Sequence, residues 1–220
     1  YSEKILKLPS IWNVYSKLDC VDVNELPALK NGYLTFGSFN NFSKISLSTI
    51  NIWSKILLNS PNSRLVLKSP TSVDKNFMNI FLNKFDSKVN KKNIIFLDTV
   101  LDKKKHLAQF NLIDVSLDPF PYNGVTTSFE SIWMGVPVLT LKGEKFVSRC
   151  GYSINKNANL NGFIADNIND YFNKAINFGS KDNILSLSKL RKSLREKISS
   201  SSLFDSRSFA KNFASILKDI

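Results

Sequence analysis

Residues 118–135, DPFPYNGVTTSFESIWMG, concentrate the features that could hold an anionic ligand. Two prolines and the Asn123-Gly124 pair break the backbone, and Thr126 and Thr127 follow as good N-caps for a helix in which Phe129, Ile132 and Trp133 recur at helical spacing. A helix start presents unpaired N–H groups and a partial positive charge. Adjacent hydroxyls, and a glycine that lets a ligand approach the backbone, make this a candidate phosphate cradle. Four other side chains would complete a site. Lys44, closing the run NNFSK at 40–44, would set a point charge against a phosphate, and Glu130, one turn into the helix, would accept from a ribose hydroxyl. A further loop would supply Lys103 and His106, the imidazole stacking on a base or hydrogen-bonding to it. Each has a plainer reading as well: an exposed lysine, a carboxylate complementing a helix N-terminus, a histidine paired locally.

For these residues to meet, the chain must bring separate loops to one edge of a sheet. Residues 33–39 read as a first strand, ending at Asn40-Asn41, and Ser46 caps a helix carrying Ile50, Trp53, Ile56 and Leu57. Residues 65–67 read as a second strand, and 73–85 as a helix with Phe77, Ile80, Phe81 and Phe85 on one face. The unit recurs: strand 94–97, helix 103–110, strand 113–117, helix 127–134, strand 138–141. Segments 146–154, 168–178, 184–198 and 207–217 have helical spacing, and serines 199–202 turn the chain between the last two. Near-continuous Val, Ile and Leu strands alternating with amphipathic helices argue for α/β architecture, a doubly wound parallel sheet covered on both faces. In such sheets ligands bind beyond the carboxyl ends of the strands where strand order reverses, commonly between the first and fourth. That rule selects the loops at 40–44 and 119–127, and the loop after the third strand adds Lys103 and His106. Their convergence is what makes a candidate nucleotide site.

Composition narrows the alternatives. With 220 residues, 43% of them hydrophobic, the chain can bury one sizeable core. The net charge of +12 invites a nucleic-acid reading, but Lys91-Lys92, 103–105 and the basic region 191–197 are dispersed and carry no nucleic-acid motif, so they read as solvated surface. Cys20 and Cys150 lie far apart and His106 is the single histidine, so the sequence offers no zinc-ligand spacing and both thiols read as reduced. No apolar run approaches the roughly 18 residues that cross a bilayer, and no signal peptide opens the chain, so a cytoplasmic setting without a membrane partner is expected. A start at Tyr1 reads as a piece of something longer. Gly-x-Gly-x-x-Gly and Walker motifs are missing, which argues against nicotinamide, flavin and ATPase chemistry. No carboxylate pair or Ser/His/Asp order suggests a self-contained hydrolase. Residues 1–30 sustain neither period, Pro27 closes them, and they read as a lead-in segment.

Residues 32–45 (GYLTFGSFNNFSKI), 93–106 and above all 114–149 (DVSLDPFPYNGVTTSFESIWMGVPVLTLKGEKFVSR) resemble the C-terminal catalytic lobe of the O-linked N-acetylglucosaminyltransferase family, which includes the SPINDLY-type proteins. The resemblance covers nearly the whole chain. It implies a GT-B architecture, in which two Rossmann-like lobes face one another and the nucleotide-sugar lies mainly on the C-terminal one. Residues 1–30 would then lead in from an upstream lobe, and 31–220 would form the nucleotide-sugar-binding lobe with its C-terminal helices. By this similarity Asn41 and Lys44, just past the first strand, bind the donor, the lysine facing the diphosphate as the group that acts in transfer. Lys103 and His106 line the nucleoside pocket, Asn123, Gly124, Val125, Thr126 and Thr127 surround the phosphates, and Glu130 binds ribose. Two residues depart from the animal enzymes: Val125 stands in place of His, leaving only its backbone N–H, and Glu130 in place of Asp. The implied reaction is an inverting transfer, without metal or other cofactor, of N-acetylglucosamine from UDP-N-acetylglucosamine to a protein Ser or Thr hydroxyl. The implied partners are the nucleotide-sugar, an acceptor protein, the upstream catalytic lobe and tetratricopeptide repeats. Val125 keeps GDP-fucose open as donor, and a non-catalytic nucleotide- or protein-binding module is the other reading. No general base for the acceptor is evident, so nucleotide binding with little turnover is expected of this piece.

Overall fold

The computed structural model describes residues 2, 4–17, 21–69 and 74–218. Cys20 and Val73 lie outside them. Strands β1 (Thr35–Ser38), β2 (Arg64–Leu67), β3 (Ile94–Phe96), β4 (Val115–Leu117), β5 (Val138–Leu141) and β6 (Ile164–Ala165) form one sheet in the order β3-β2-β1-β4-β5-β6. Every neighbouring pair is parallel. The order reverses between β1 and β4, the crevice that the sequence pattern selects.

The helices are α1 (Pro27–Asn31), α2 (Leu47–Asn59), α3 (Lys75–Leu82), α4 (Lys103–Ala108), α5 (Thr126–Trp133), α6 (Cys150–Asn157), α7 (Ile168–Asn177), α8 (Lys181–Ser199) and α9 (Ser206–Lys218). Side chains alternate across each strand, so Leu65 and Leu67 face a core with Trp53, Ile56 and Tyr171, while Val66 faces the other with Phe129, Ile132 and Leu194. Helices α2, α3 and α7 supply the first layer, and α4, α5, α6 and α8 the second. Ser46 caps α2 by accepting the Thr49 N–H at 3.1 Å.

The structure corrects several boundaries. Pro27 opens α1 rather than closing a stretch, because proline is well suited to a first helical turn whose N–H would be unpaired anyway. Strand β6, two residues long, carries too little pattern to be read from sequence. Asp74 caps α3 by accepting the Phe77 N–H, leaving Phe85 beyond the helix. The segment 103–110 divides into α4 and a 3-10 turn, Gln109–Leu112, and 146–154 into the 3-10 turn Phe146–Ser148 and the start of α6. Among the described residues no helix is long and apolar enough to cross a membrane.

The lead-in segment packs on the second layer. Ile11 is buried there, the Tyr15 N–H donates to the Leu203 carbonyl at 3.0 Å, and the Tyr15 ring stacks on Phe129 with centroids 5.4 Å apart. At the foot of β4, buried Asp114 accepts the Ala28 N–H at 2.8 Å and the Thr35 N–H at 2.7 Å, tying β4 to α1 and to the start of β1. Burial pushes its carboxyl up to about 6 despite those hydrogen bonds. Nearby, the buried Arg191 guanidinium donates to the carbonyls of Ile113 and Asn24, each at 2.9 Å.

Gly135, after α5, has φ +72°, and a Cβ there would lie 2.7 Å from the Arg191 carbonyl oxygen. Strain in that backbone region and the clash add together, so Gly135→Ala is expected to lose about 2–3 kcal/mol. The urea midpoint should fall at an unchanged slope; an unmoved midpoint would show that the turn relaxes freely.

Candidate nucleotide-binding site

Loop 118–125 is held from below by groups that face into the protein. Asp118 is fully buried at the end of β4; its Oδ1 accepts the Gly124 N–H at 2.7 Å and its Oδ2 the Thr140 hydroxyl at 2.7 Å. The Tyr171 hydroxyl donates to the Asp118 carbonyl at 3.1 Å. Asn123, also fully buried, donates from Nδ2 to the Pro119 carbonyl at 3.1 Å and accepts the Gly151 N–H at Oδ1, 3.3 Å. Its side chain therefore shapes the loop from inside.

The loops beyond β1 and β4 touch. The Thr127 hydroxyl donates to Oδ1 of buried Asn40 at 2.9 Å, and a Cβ on Gly124 would lie 2.7 Å from each of those two oxygens. A side chain there would have to push those two hydrogen-bonded groups aside, which glycine avoids. Asn41, expected to face the ligand, is exposed, and its Oδ1 accepts the Ser43 N–H at 3.0 Å, capping the 3-10 turn Phe42–Lys44. Helix α5 starts one residue earlier than the threonine-cap reading: Val125 is the N-cap, makes no side-chain capping bond, and packs against the second core. Thr126 and Thr127 are therefore the first two helical residues, whose N–H groups have no partner within a helix.

Those two threonines line a hollow of 370 Å³ together with Lys68, Lys103, His106 and Glu130. Glu130 does not point to solvent; its side chain is 4% exposed. Oε1 pairs with the Lys103 ammonium and accepts the Tyr15 hydroxyl at 3.3 Å, and Oε2 lies 2.9 Å from His106 Nε2. Burial pushes the Glu130 carboxyl up, but the hydrogen bonds from His106 and Lys103 outweigh it and hold the group below its ordinary value. Behind His106 stands Lys68, 2% exposed, its Nζ 2.8 Å from His106 Nδ1 and in contact with Gln109 Oε1. Burial holds the Lys68 amine below its ordinary value.

Lys44 reaches the same loop but not the same hollow. Its half-buried Nζ donates to the Asn123 carbonyl at 3.2 Å and lies 4.3 Å from the centroid of the Tyr122 ring. Tyr122 lines a second hollow, of 500 Å³, with Pro121, Gly143 and Lys145.

Sequence reasoning missed Lys68, Asn40 and Tyr15. For Lys68 a signal existed: a lysine directly after the apolar strand RLVL stands at the carboxyl end of a parallel strand, where ligands gather.

A parallel sheet reversing between β1 and β4, with cations, a helix start and an enclosed carboxylate beyond the reversal, defines a Rossmann-like lobe with a candidate nucleotide site. The family profile of glycosyl transferase family 41 matches residues 20–213, and the chain belongs to that family. A tomato (Solanum lycopersicum) protein named "Probable UDP-N-acetylglucosamine--peptide N-acetylglucosaminyltransferase SPINDLY" is 36% identical over 99% of this chain and 23% of its own length. Its namesake from Arabidopsis thaliana is 34% identical over 99% of this chain and 24% of its own length. The chain thus spans about a quarter of these curated relatives. A solved structure of a mutant O-GlcNAc transferase from Thermobaculum terrenum superposes with a TM-score of 0.88 at 29% identity, covering 99% of this chain and 41% of that one. The lobe is therefore of the GT-B C-terminal type.

Burial also pushes Asp118 up, to about 7, against the hydrogen bonds from Gly124 and Thr140. An aspartate in an unfolded chain titrates near ~3.9. Between that value and its folded one, the folded state binds more protons than the unfolded state, so this group's contribution to stability is largest at low pH and is lost as pH rises to about 7. Asp118→Asn can still accept from Gly124 and donate to Thr140. Its urea stability is expected to decline less between pH ~4 and ~8 than the wild type's, by up to a few kcal/mol; parallel curves would show that Asp118 does not titrate there.

Proposed function

We propose that this chain is the donor-binding half of an inverting glycosyltransferase that moves N-acetylglucosamine from UDP-N-acetylglucosamine to a Ser or Thr hydroxyl of an acceptor protein. One observation carries the reading: Glu130, held between Lys103 and His106, shares a hollow with the free amides at the start of α5. A carboxylate suits a ribose diol, and helix-start amides suit a diphosphate. The names of the relatives support the donor and the acceptor class.

In such a transfer the acceptor oxygen bonds to the anomeric carbon as the bond from that carbon to the diphosphate oxygen breaks. The electron pair leaves with the diphosphate. Fixed positive groups at that oxygen lower the barrier most; the Thr126 and Thr127 amides can supply them without a metal ion, joined by Lys44 once its ammonium leaves the Asn123 carbonyl for the ligand. The acceptor's proton goes to a base on the upstream lobe, which with tetratricopeptide repeats would also build the acceptor groove; residues 1–30 lead in from that lobe. A cytoplasmic setting fits this reading.

Calorimetric titration with UDP, GDP and their sugars, without metal, tests the site. UDP is expected to bind, and Lys44→Ala to bind about tenfold or more weakly, since a hydrogen bond to a charged group is worth about 1.5–3 kcal/mol. Tighter binding of GDP-fucose would move the donor assignment. Silence toward every donor, with a partner protein still captured, would make the lobe a non-catalytic module.

A further inference from the structure

Lys68 has no place in the reading above, yet it is the most deeply enclosed cation at the hollow. A lysine ammonium has three donors and no acceptor, so the ring nitrogen it meets must accept. That nitrogen is His106 Nδ1, at 2.8 Å. A neutral imidazole carries its proton on the other nitrogen, and His106 Nε2 lies 2.9 Å from Glu130 Oε2, an acceptor. The two contacts agree on one tautomer. Lys68 is itself clamped, by Gln109 Oε1 and by the face of Phe39, whose centroid is 5.7 Å from Nζ. Phe110 meets the His106 ring edge-on at 5.9 Å and fixes its tilt.

We propose that Lys68 is a positioning residue: its ammonium keeps Nδ1 of His106 unprotonated, makes Nε2–H the donor to Glu130, and so leaves the imidazole no free nitrogen for a ligand. The ring then meets a nucleoside with its face, and base-edge hydrogen bonds must come from elsewhere in the pocket. The ionisable groups around His106 are Lys68 from the end of β2, Glu130 from α5, Lys103 from its own helix and Tyr15 from the lead-in segment. The ligand consequence rests on the nucleotide reading; the tautomer does not.

His106 is the chain's single histidine, so a tag-free, nitrogen-15-labelled sample gives one imidazole. Long-range proton–nitrogen correlation near neutral pH is expected to show Nδ1 far downfield, as an unprotonated nitrogen, and Nε2 as an N–H nitrogen. Lys68→Met, similar in length but without a donor, should shift the Nδ1 signal away from its far-downfield position, because no donor then holds that nitrogen unprotonated, while Nε2 keeps its proton toward Glu130; Lys68→Arg should restore the wild-type pattern. A wild-type proton on Nδ1, an imidazolium pattern, or a Lys68→Met spectrum like the wild type's overturns the proposal. The wild-type and Lys68→Arg spectra decide the matter even if Lys68→Met fails to fold. UDP is added last: His106 signals that ignore it, with the Nε2–H tautomer in place, would sink the nucleotide reading and leave the role of Lys68 standing.

Discussion

A fully buried carboxylate at the end of β4 sets the geometry of everything beyond it. Asp118 receives the Gly124 amide and the Thr140 hydroxyl, and its own carbonyl receives the Tyr171 hydroxyl, so one residue joins the loop, β5 and α7. Desolvating a carboxylate costs several kcal/mol, and these donors offset only part of it, which is why the group titrates high. Asp114 repeats the device at the foot of the same strand, joining β4 to α1 and β1. With β4 pinned at both ends, Gly124 has one position, against Asn40 and Thr127, and the loops beyond β1 and β4 close on each other.

The features readable in the sequence are those written locally. Ser46 as a cap, the Val, Ile and Leu strands, and the Pro, Asn-Gly and Thr run before α5 each state their geometry within a few residues, and the parallel order follows from their alternation. What was not readable depends on phase or on distance along the chain. Which of two adjacent asparagines turns inward, Asn40 or Asn41, is a one-residue phase question just past a strand end, and no pattern settles it. Glu130 lies between buried Phe129 and Ser131 on a helix covered on almost every side, so periodicity does not tell its enclosed position from an exposed one. Tyr15 meets Glu130 across 115 positions, and Lys68 meets His106 across 38. Such pairs exist only once the sheet is built.

On the proposed function, the same contacts govern how a nucleotide would enter. A carboxylate has about four lone-pair sites, and Glu130 already takes donors from Lys103, Tyr15 and His106. A ribose diol brings two hydroxyls, one more than the vacancy left. One resident donor must therefore yield. His106 is held from behind by Lys68, and Tyr15 is fixed by its stack on Phe129 and its backbone bond to Leu203. Lys103, with its side chain 48% exposed at the first residue of α4, is the donor with room to swing. Its ammonium, displaced from Glu130, would stay within the hollow and find its new partner on the arriving anion. Entry then exchanges the ion pair between Lys103 and Glu130 rather than breaking it, and a cation stays beside the carboxylate.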